Sequence, residues 1–150
     1  MKLVFLKPEE VAAVWDEIAP QFQRVVSKAC HGEFTVDDLY RMALSGNAII
    51  GVAREENGKV AMVMAFQFVL YPSATGVNVL AMAGKNLKQF MGQFLPPFKT
   101  FCREMGADWI ECAVSPGMER MHHRHGFETV YRNLRMSVKE DCPDAGREAG

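Results

Sequence analysis

The sequence predicts a single α+β domain, with a mixed, mainly antiparallel central sheet flanked by helices. Three observations carry that expectation. The elements read in the order β-α-α-β-β-β-α-β-α-β, an antiparallel meander joined to a β-α-β unit. Segment Lys59–Tyr71 is apolar on both faces: Val60, Met62, Met64, Phe66 and Phe68 alternate with Ala61, Val63, Ala65 and Val69. Such a strand must be covered on both sides, so it is central. Finally, Asp108–Val138 runs strand, turn Ser115-Pro116-Gly117, short helix, Gly126-Phe127, strand.

Each element has its own local reason. Lys2–Leu6 reads as a strand. Pro8 suits the first turn of a helix, and Glu9 and Glu10 favour its positive end. Val11, Val14, Trp15 and Ile18 then recur at helical spacing. Pro20 interrupts the pattern, Phe22, Val25, Val26 and Ala29 restart it, and His31-Gly32 stops it. The segment is either two consecutive helices or one kinked helix. Thr35 and Asp38 form an N-cap with an acidic N3 residue. Leu39, Met42 and Ala43 make the inner face of that helix, and Gly46 ends it. Asn47–Arg54 is a strand, and Asn57-Gly58 predicts a tight hairpin with positive φ at both positions. After strand 59–71 come a loop, Pro72–Gly76, and a strand, Val77–Met82. Asn86–Met105 has helical periodicity, with a break or kink at Pro96-Pro97 and a cap at Gly106. Strands 108–114 and Glu128–Val138 bracket a helical segment at 117–125. The domain therefore spans 1–138, and the polar tail Lys139–Gly150 is expected to be disordered.

A chain of 150 residues suffices for one domain with a substantial core. The net charge of −1 gives no reason to expect a nucleic-acid or anionic-membrane partner. No apolar run approaches the roughly 18–20 residues that span a bilayer, and the N-terminus has too short an apolar stretch for a signal peptide. Cys30, Cys102, Cys112 and Cys142 form no Cys-x-x-Cys pair. Free thiols and a cytoplasmic location follow as expectations. Ten methionines read as core filler, or else as an adaptable binding surface.

The run Met121-His-His-Arg-His-Gly-Phe127 sits between two strands, where a short helix leads into Gly-Phe. This order resembles the GNAT (GCN5-related N-acetyltransferase) superfamily over nearly the whole chain up to Val138. The blocks Ala83-Gly84-Lys-Asn-Leu87, Gly106-Ala-Asp-Trp-Ile-Glu111, Ser115-Pro-Gly-Met-Glu-Arg120 and Gly126-Phe127 look most like small GNAT-like proteins of tailed bacteriophages and prophages. The resemblance implies acetyl-CoA as cofactor and an amine as acceptor. It places the thioester along the 77–82 backbone and the pyrophosphate on the following turn. The cofactor-binding candidates are therefore Leu80, Ala81, Met82, Gly84, Lys85, Asn86 and Leu87. The superfamily's turn has the form Arg/Gln-x-x-Gly-x-Gly/Ala; this one has a single glycine and no matching Arg or Gln. Lys85 and the amides of Gly84–Leu87 remain as phosphate donors.

Many members place a Tyr acid four residues before the Gly of Gly-Phe. His122 stands there, and imidazole can perform the same proton transfer. Glu111 is the candidate general base. Tyr71, Trp109 and Tyr131 are candidates to line a groove. Glu33 lies near the start of the family's acceptor groove. His122, His123 and His125 also read as ordinary surface or cap histidines. Adjacent His122 and His123 diverge on a helix, so no metal site is expected. Two functions remain open. One is acetyl transfer to an amine. The other is a non-catalytic structural or interaction protein on the same frame, with a degenerate pyrophosphate turn and the Met- and Phe-rich helix 87–105 partly a partner surface. A homodimer is compatible with either.

Overall fold

The computed structural model describes residues 2–139. In chain order these form β1 (Lys2–Leu6), α1 (Pro8–Ala29), α2 (Val36–Ser45), β2 (Ile49–Arg54), β3 (Val60–Leu70), β4 (Thr75–Gly84), α3 (Leu87–Glu104), β5 (Trp109–Cys112) and α4 (Pro116–Arg124). The strands make one sheet in the order β1-β2-β3-β4-β5. The first three pairings are antiparallel, and β4 pairs with β5 in parallel. The sheet is thus mixed and mainly antiparallel, with the two-sided apolar β3 at its centre.

That strand feeds two cores. On one face Val63 and Ala65 pack with Val11, Ile18, Phe22 and Leu39 of α1 and α2. On the other, Met62, Met64 and Phe66 meet Met91, Phe94, Phe98 and Cys102 of α3 and Met121 of α4. Rings interlock there: Phe66 and Phe98 lie 4.9 Å apart edge to face, and Phe5 stacks on Phe101 at 4.1 Å. Met91, Phe94, Leu95, Phe98 and Cys102 of α3 are buried in this core.

Local signals hold where they depend on near neighbours. Thr35 Oγ1 accepts from the Asp38 amide, Asp38 accepts from the Thr35 amide, and Gly46 closes α2 at φ 84°. Several expectations need correction. Of the two alternatives for the first helical segment, one helix is present: α1 runs through Pro20, whereas α3, expected to break or kink, runs unbroken through Pro96 and Pro97. The carbonyls that these rings leave unbonded belong to Asp16, Gly92 and Gln93, all on exposed positions where water can take the bond. The β2–β3 hairpin is not the two-residue turn with two positive φ values. Gly58 N–H donates to Glu55 O, Glu55 N–H donates to Lys59 O, and Gly58 alone has positive φ. This is a three-residue loop closed by a left-handed glycine.

β4 is longer than expected and reaches Gly84, whereas β5 stops at Cys112. The predicted final strand Glu128–Val138 is absent: these residues are exposed and join no ladder. An alternating pattern does not make a strand without a neighbour to bond to. Of the predicted tail, residues 140–150 lie outside the described residues.

Candidate functional site

The β4–β5 ladder pairs Gly76 with Trp109, Val77 with Ile110, Asn78 with Glu111 and Val79 with Cys112, and stops there. Against β3, Ala65 pairs with Ala81 while Phe66 pairs with Val79, which leaves Leu80 as an extra residue. A bulge of this kind bends the strand that carries it. Among the described residues, the β5-side edge of β4 has no strand partner from Leu80 to Gly84. The backbone available to a ligand is thus 80–84, not 77–82 as expected, because Val77 and Val79 are held on both sides. Side chains of Leu80, Ala81 and Ala83 pack toward α1 and α2, and Met82 packs toward α3. Their backbone is the polar part open to a ligand.

The open edge runs into a cleft of about 440 Å³ lined by Gly84, Lys85, Asn86, Leu87, Lys88, Gln89 and Met118. Lys85 and Asn86 form the turn, and α3 begins at Leu87. Both α1 and α2 start with acidic residues and a bond across the cap: Glu10 accepts from the Lys7 amide and Asp38 from the Thr35 amide. α3 has neither: Asn86 makes no side-chain cap bond and the first turn holds no acid. The first helical amides therefore face the cleft side unsatisfied by any cap, at the positive end of an 18-residue helix. Lys85 and Lys88 flank them, and among the described residues neither joins an ion pair. The arrangement suits an anion. Gly84 also has a packing task. A Cβ there would lie 2.5 Å from the Ala61 carbonyl oxygen, so the glycine serves the close approach of β3.

Glu111 projects to the face opposite Ile110, which packs into the α3 core. Its carboxylate is fixed by neighbours. Tyr71 Oη donates across both oxygens, at 2.7 and 3.0 Å, and Trp109 Nε1 donates to Oε2 at 2.8 Å. The hydrogen bond to Glu111 holds the Tyr71 phenol above its ordinary pKa, because ionisation would lose the bond and oppose two negative charges. Gly76 makes room for the cluster: a Cβ there would meet Glu111 Oε2 at 2.6 Å and Trp109 Nε1 at 2.7 Å. Among the described residues no cation pairs with Glu111.

His122 stands on α4, one turn after Met118. Its Nδ1 lies 2.8 Å from the Met118 carbonyl, which can only accept, so Nδ1 carries a proton. Nε2 is left for chemistry. The ring meets Phe127 edge to face at 5.2 Å. His123 Nε2 bonds the Thr129 hydroxyl, which donates to Glu119, and His125 forms the C-terminal cap. The histidines thus separate into different tasks. Among the described residues no group of three His, Cys, Asp or Glu side chains is placed to hold a metal. Cys30, Cys102 and Cys112 are free, and burial pushes the Cys102 thiol up to about 11.

The structure therefore gathers Gly84, Lys85, Asn86 and Leu87 at one cleft, and links His122 to it through Met118. Glu111 sits apart, with Tyr71 and Trp109. Tyr131 is largely exposed, and Glu33 pairs with Arg135 at 2.7 Å. Lys88, Gln89 and Met118 were not anticipated. The signal for Lys88 was present: a basic residue in a first helical turn opposes the helix dipole and invites an anion.

No family model matches the sequence, and no curated protein matches it. Solved structures do. A probable acetyltransferase superposes with a TM-score of 0.73 at 12% identity, covering 94% of this chain and 100% of its own. A predicted acetyltransferase from Clostridium acetobutylicum, solved with acetyl-CoA, gives 0.65 at 10% identity over 91% of this chain and 96% of its own. An aminoglycoside acetyltransferase from an uncultured soil metagenomic sample, solved with sisomicin, gives 0.65 at 14% identity over 94% and 96%. With a five-stranded mixed sheet, helices on both faces and this agreement along almost its whole length, the chain has the GNAT acetyltransferase fold.

Proposed function

We propose that the protein is an acetyl-CoA-dependent N-acetyltransferase acting on an amine. One observation carries the reading: the unpaired edge of β4 leads directly into the uncapped, lysine-flanked start of α3. An extended, amide-bearing arm followed by an anion-binding helix end fits a ligand with a peptide-like chain and a pyrophosphate, which acetyl-CoA has. Bound there, acetyl-CoA would supply an activated acyl thioester. Lys85, Lys88 and the amides of Leu87, Lys88 and Gln89 would hold the phosphates. Backbone N–H groups between Leu80 and Gly84 would stabilise negative charge developing on an acyl oxygen. Glu111 would take a proton from the acceptor ammonium through water. His122, doubly protonated and with Nδ1–H anchored on the Met118 carbonyl, would give its Nε2 proton to a departing thiolate.

The test is release of CoA thiol from acetyl-CoA in the presence of a panel of primary amines. Turnover is expected, and His122→Phe should lower it by about 10²- to 10⁴-fold without weakening acetyl-CoA binding. Unchanged turnover in that variant would remove His122 from the mechanism. A cytoplasmic location and a likeness to bacteriophage-encoded members belong to this proposal; the second rests on the sequence blocks alone.

A second reading keeps the fold without the chemistry, as a structural or interaction protein. Gly84 favours it, since the turn's single glycine is accounted for by packing against Ala61. Under that reading no amine would elicit thiol release.

A further inference from the structure

Charge is matched differently on the two helical faces. On the α1–α2 side the basic groups find acids: Arg54 pairs with Glu17, Arg41 with Asp37, and Arg135 with Glu33 of the α1–α2 loop. On the α3–α4 side Lys85, Lys88, Lys99, Arg103, Arg120 and Arg124 are exposed, and among the described residues none of them joins an ion pair. The acids of these two helices are Glu104, at the end of α3, and Glu119, which already accepts from Thr129. Residues 88, 99 and 103 recur at helical spacing, so they form one stripe on the side of α3 that faces away from the core. At the rise of an α-helix, Lys99 and Arg103 stand about 18 and 24 Å along the axis from Leu87. A nucleotide held at the helix start does not extend to them.

We propose that the exposed face of α3 and α4 docks an acidic carrier protein, whose phosphopantetheine arm delivers the acyl thioester. The inference rests on the acyl-transfer reading and names a donor for the same cleft. Charge complementarity selects the partner, because a basic face without its own counter-charges draws an acidic surface and sets its orientation. The cleft selects the arm. Lys85, Lys88 and Met118 line it, and it leads to the unpaired backbone of β4. It fits an extended, amide-bearing chain headed by a phosphate. A nucleic acid or an anionic lipid surface matches the charge but carries no such chain. Free acetyl-CoA carries the chain but leaves Lys99 and Arg103 without a counter-charge. In the transfer, the acceptor nitrogen bonds to the acyl carbon as the bond from that carbon to the pantetheine sulfur breaks. The sulfur takes one proton and leaves as a thiol, and the second ammonium proton goes to water.

The test uses the full chain, with an acidic acyl carrier protein loaded with acetyl-phosphopantetheine as the probe. Titration calorimetry should show binding at low salt that is lost near 1 M salt, where charges are screened within about 3 Å. With an amine that is turned over, kcat/KM for the acetyl carrier should exceed that for acetyl-CoA. Lys99→Glu with Arg103→Glu should lower the carrier's kcat/KM at least about 10-fold and leave that for acetyl-CoA unchanged. Both side chains are exposed and outside the cleft, so the fold, read by far-UV circular dichroism, should persist. A carrier that does not bind overturns the proposal. So does a double variant that keeps carrier binding, or that slows both donors alike. Tighter binding of duplex DNA or of anionic vesicles than of the carrier would also refute it. If no amine is turned over, the acyl-transfer reading fails, while carrier binding and its loss in the double variant still decide the docking surface.

Discussion

At the scale of single residues, the two acid–base candidates are held by opposite means. His122 is fixed by one backbone acceptor, which settles the tautomer and leaves Nε2 as the working nitrogen. Glu111 is fixed by two side-chain donors in a notch left by Gly76. Tyr71 reports on that cluster. Glu111→Gln should return the Tyr71 phenol toward its ordinary pKa in an ultraviolet titration, because the charge and the strong acceptor are both lost. Gly76→Ala should do the same by pushing the carboxylate aside. A tyrosine titration unaltered by both substitutions would contradict the hydrogen bond.

Surface carboxylates give a second residue-scale expectation. Glu17 is depressed by the Arg54 guanidinium, Glu33 by the His31 amide, Asp38 by the Thr35 amide and Glu119 by the Thr129 hydroxyl. A carboxyl with a lowered pKa in the folded chain adds stability above its unfolded pKa and loses it as pH falls through the folded one. The melting temperature should therefore drop progressively below about pH 4. A flat profile as pH falls through the carboxylate range would show that these bonds form equally in the unfolded chain.

At the scale of elements, Gly84 is the sharpest test of how β4 is seated. Gly84→Ala puts a Cβ against the backbone of Ala61, which cannot swing away as a side chain can. It should destabilise by about 1–3 kcal/mol, the usual cost of overpacking, measurable by urea unfolding. Wild-type stability would mean that β3 and β4 can separate there. The elements also show what the sequence could disclose. The capping of α2 was readable because Thr35 and Asp38 are three residues apart and act on each other. The course of β3 was readable because both its faces must be covered. The opening beside β4 was not, since the Leu80 bulge exists only in the register against β3, a relation between residues 65–66 and 79–81. Strand 128–138 failed for the same reason: its periodicity is local, but pairing needs a neighbour that the chain does not bring to it.

At the scale of the whole molecule, the sheet separates two apolar cores, and α3 and α4 share the one beneath the cleft. Met118 and Leu87 belong both to the edge of that core and to the cleft lining. Ligand binding at the cleft is thus coupled to the packing of α3 and α4 and should stabilise the entire fold. The candidate site was legible only in part. His122 and the 84–87 turn were marked by their place next to Gly-Phe and the strand end. The aromatic frame of Glu111 and the place of Met118 in the cleft depended on contacts across the chain. The proposed activity requires that the open β4 edge and the uncapped start of α3 bind acetyl-CoA. Thermal unfolding with and without acetyl-CoA tests it most directly. A selective ligand at 100 times its dissociation constant adds about 2.7 kcal/mol, so a clear, concentration-dependent rise in melting temperature is predicted, reduced by Lys85→Glu with Lys88→Glu. No shift at millimolar acetyl-CoA would contradict the claim.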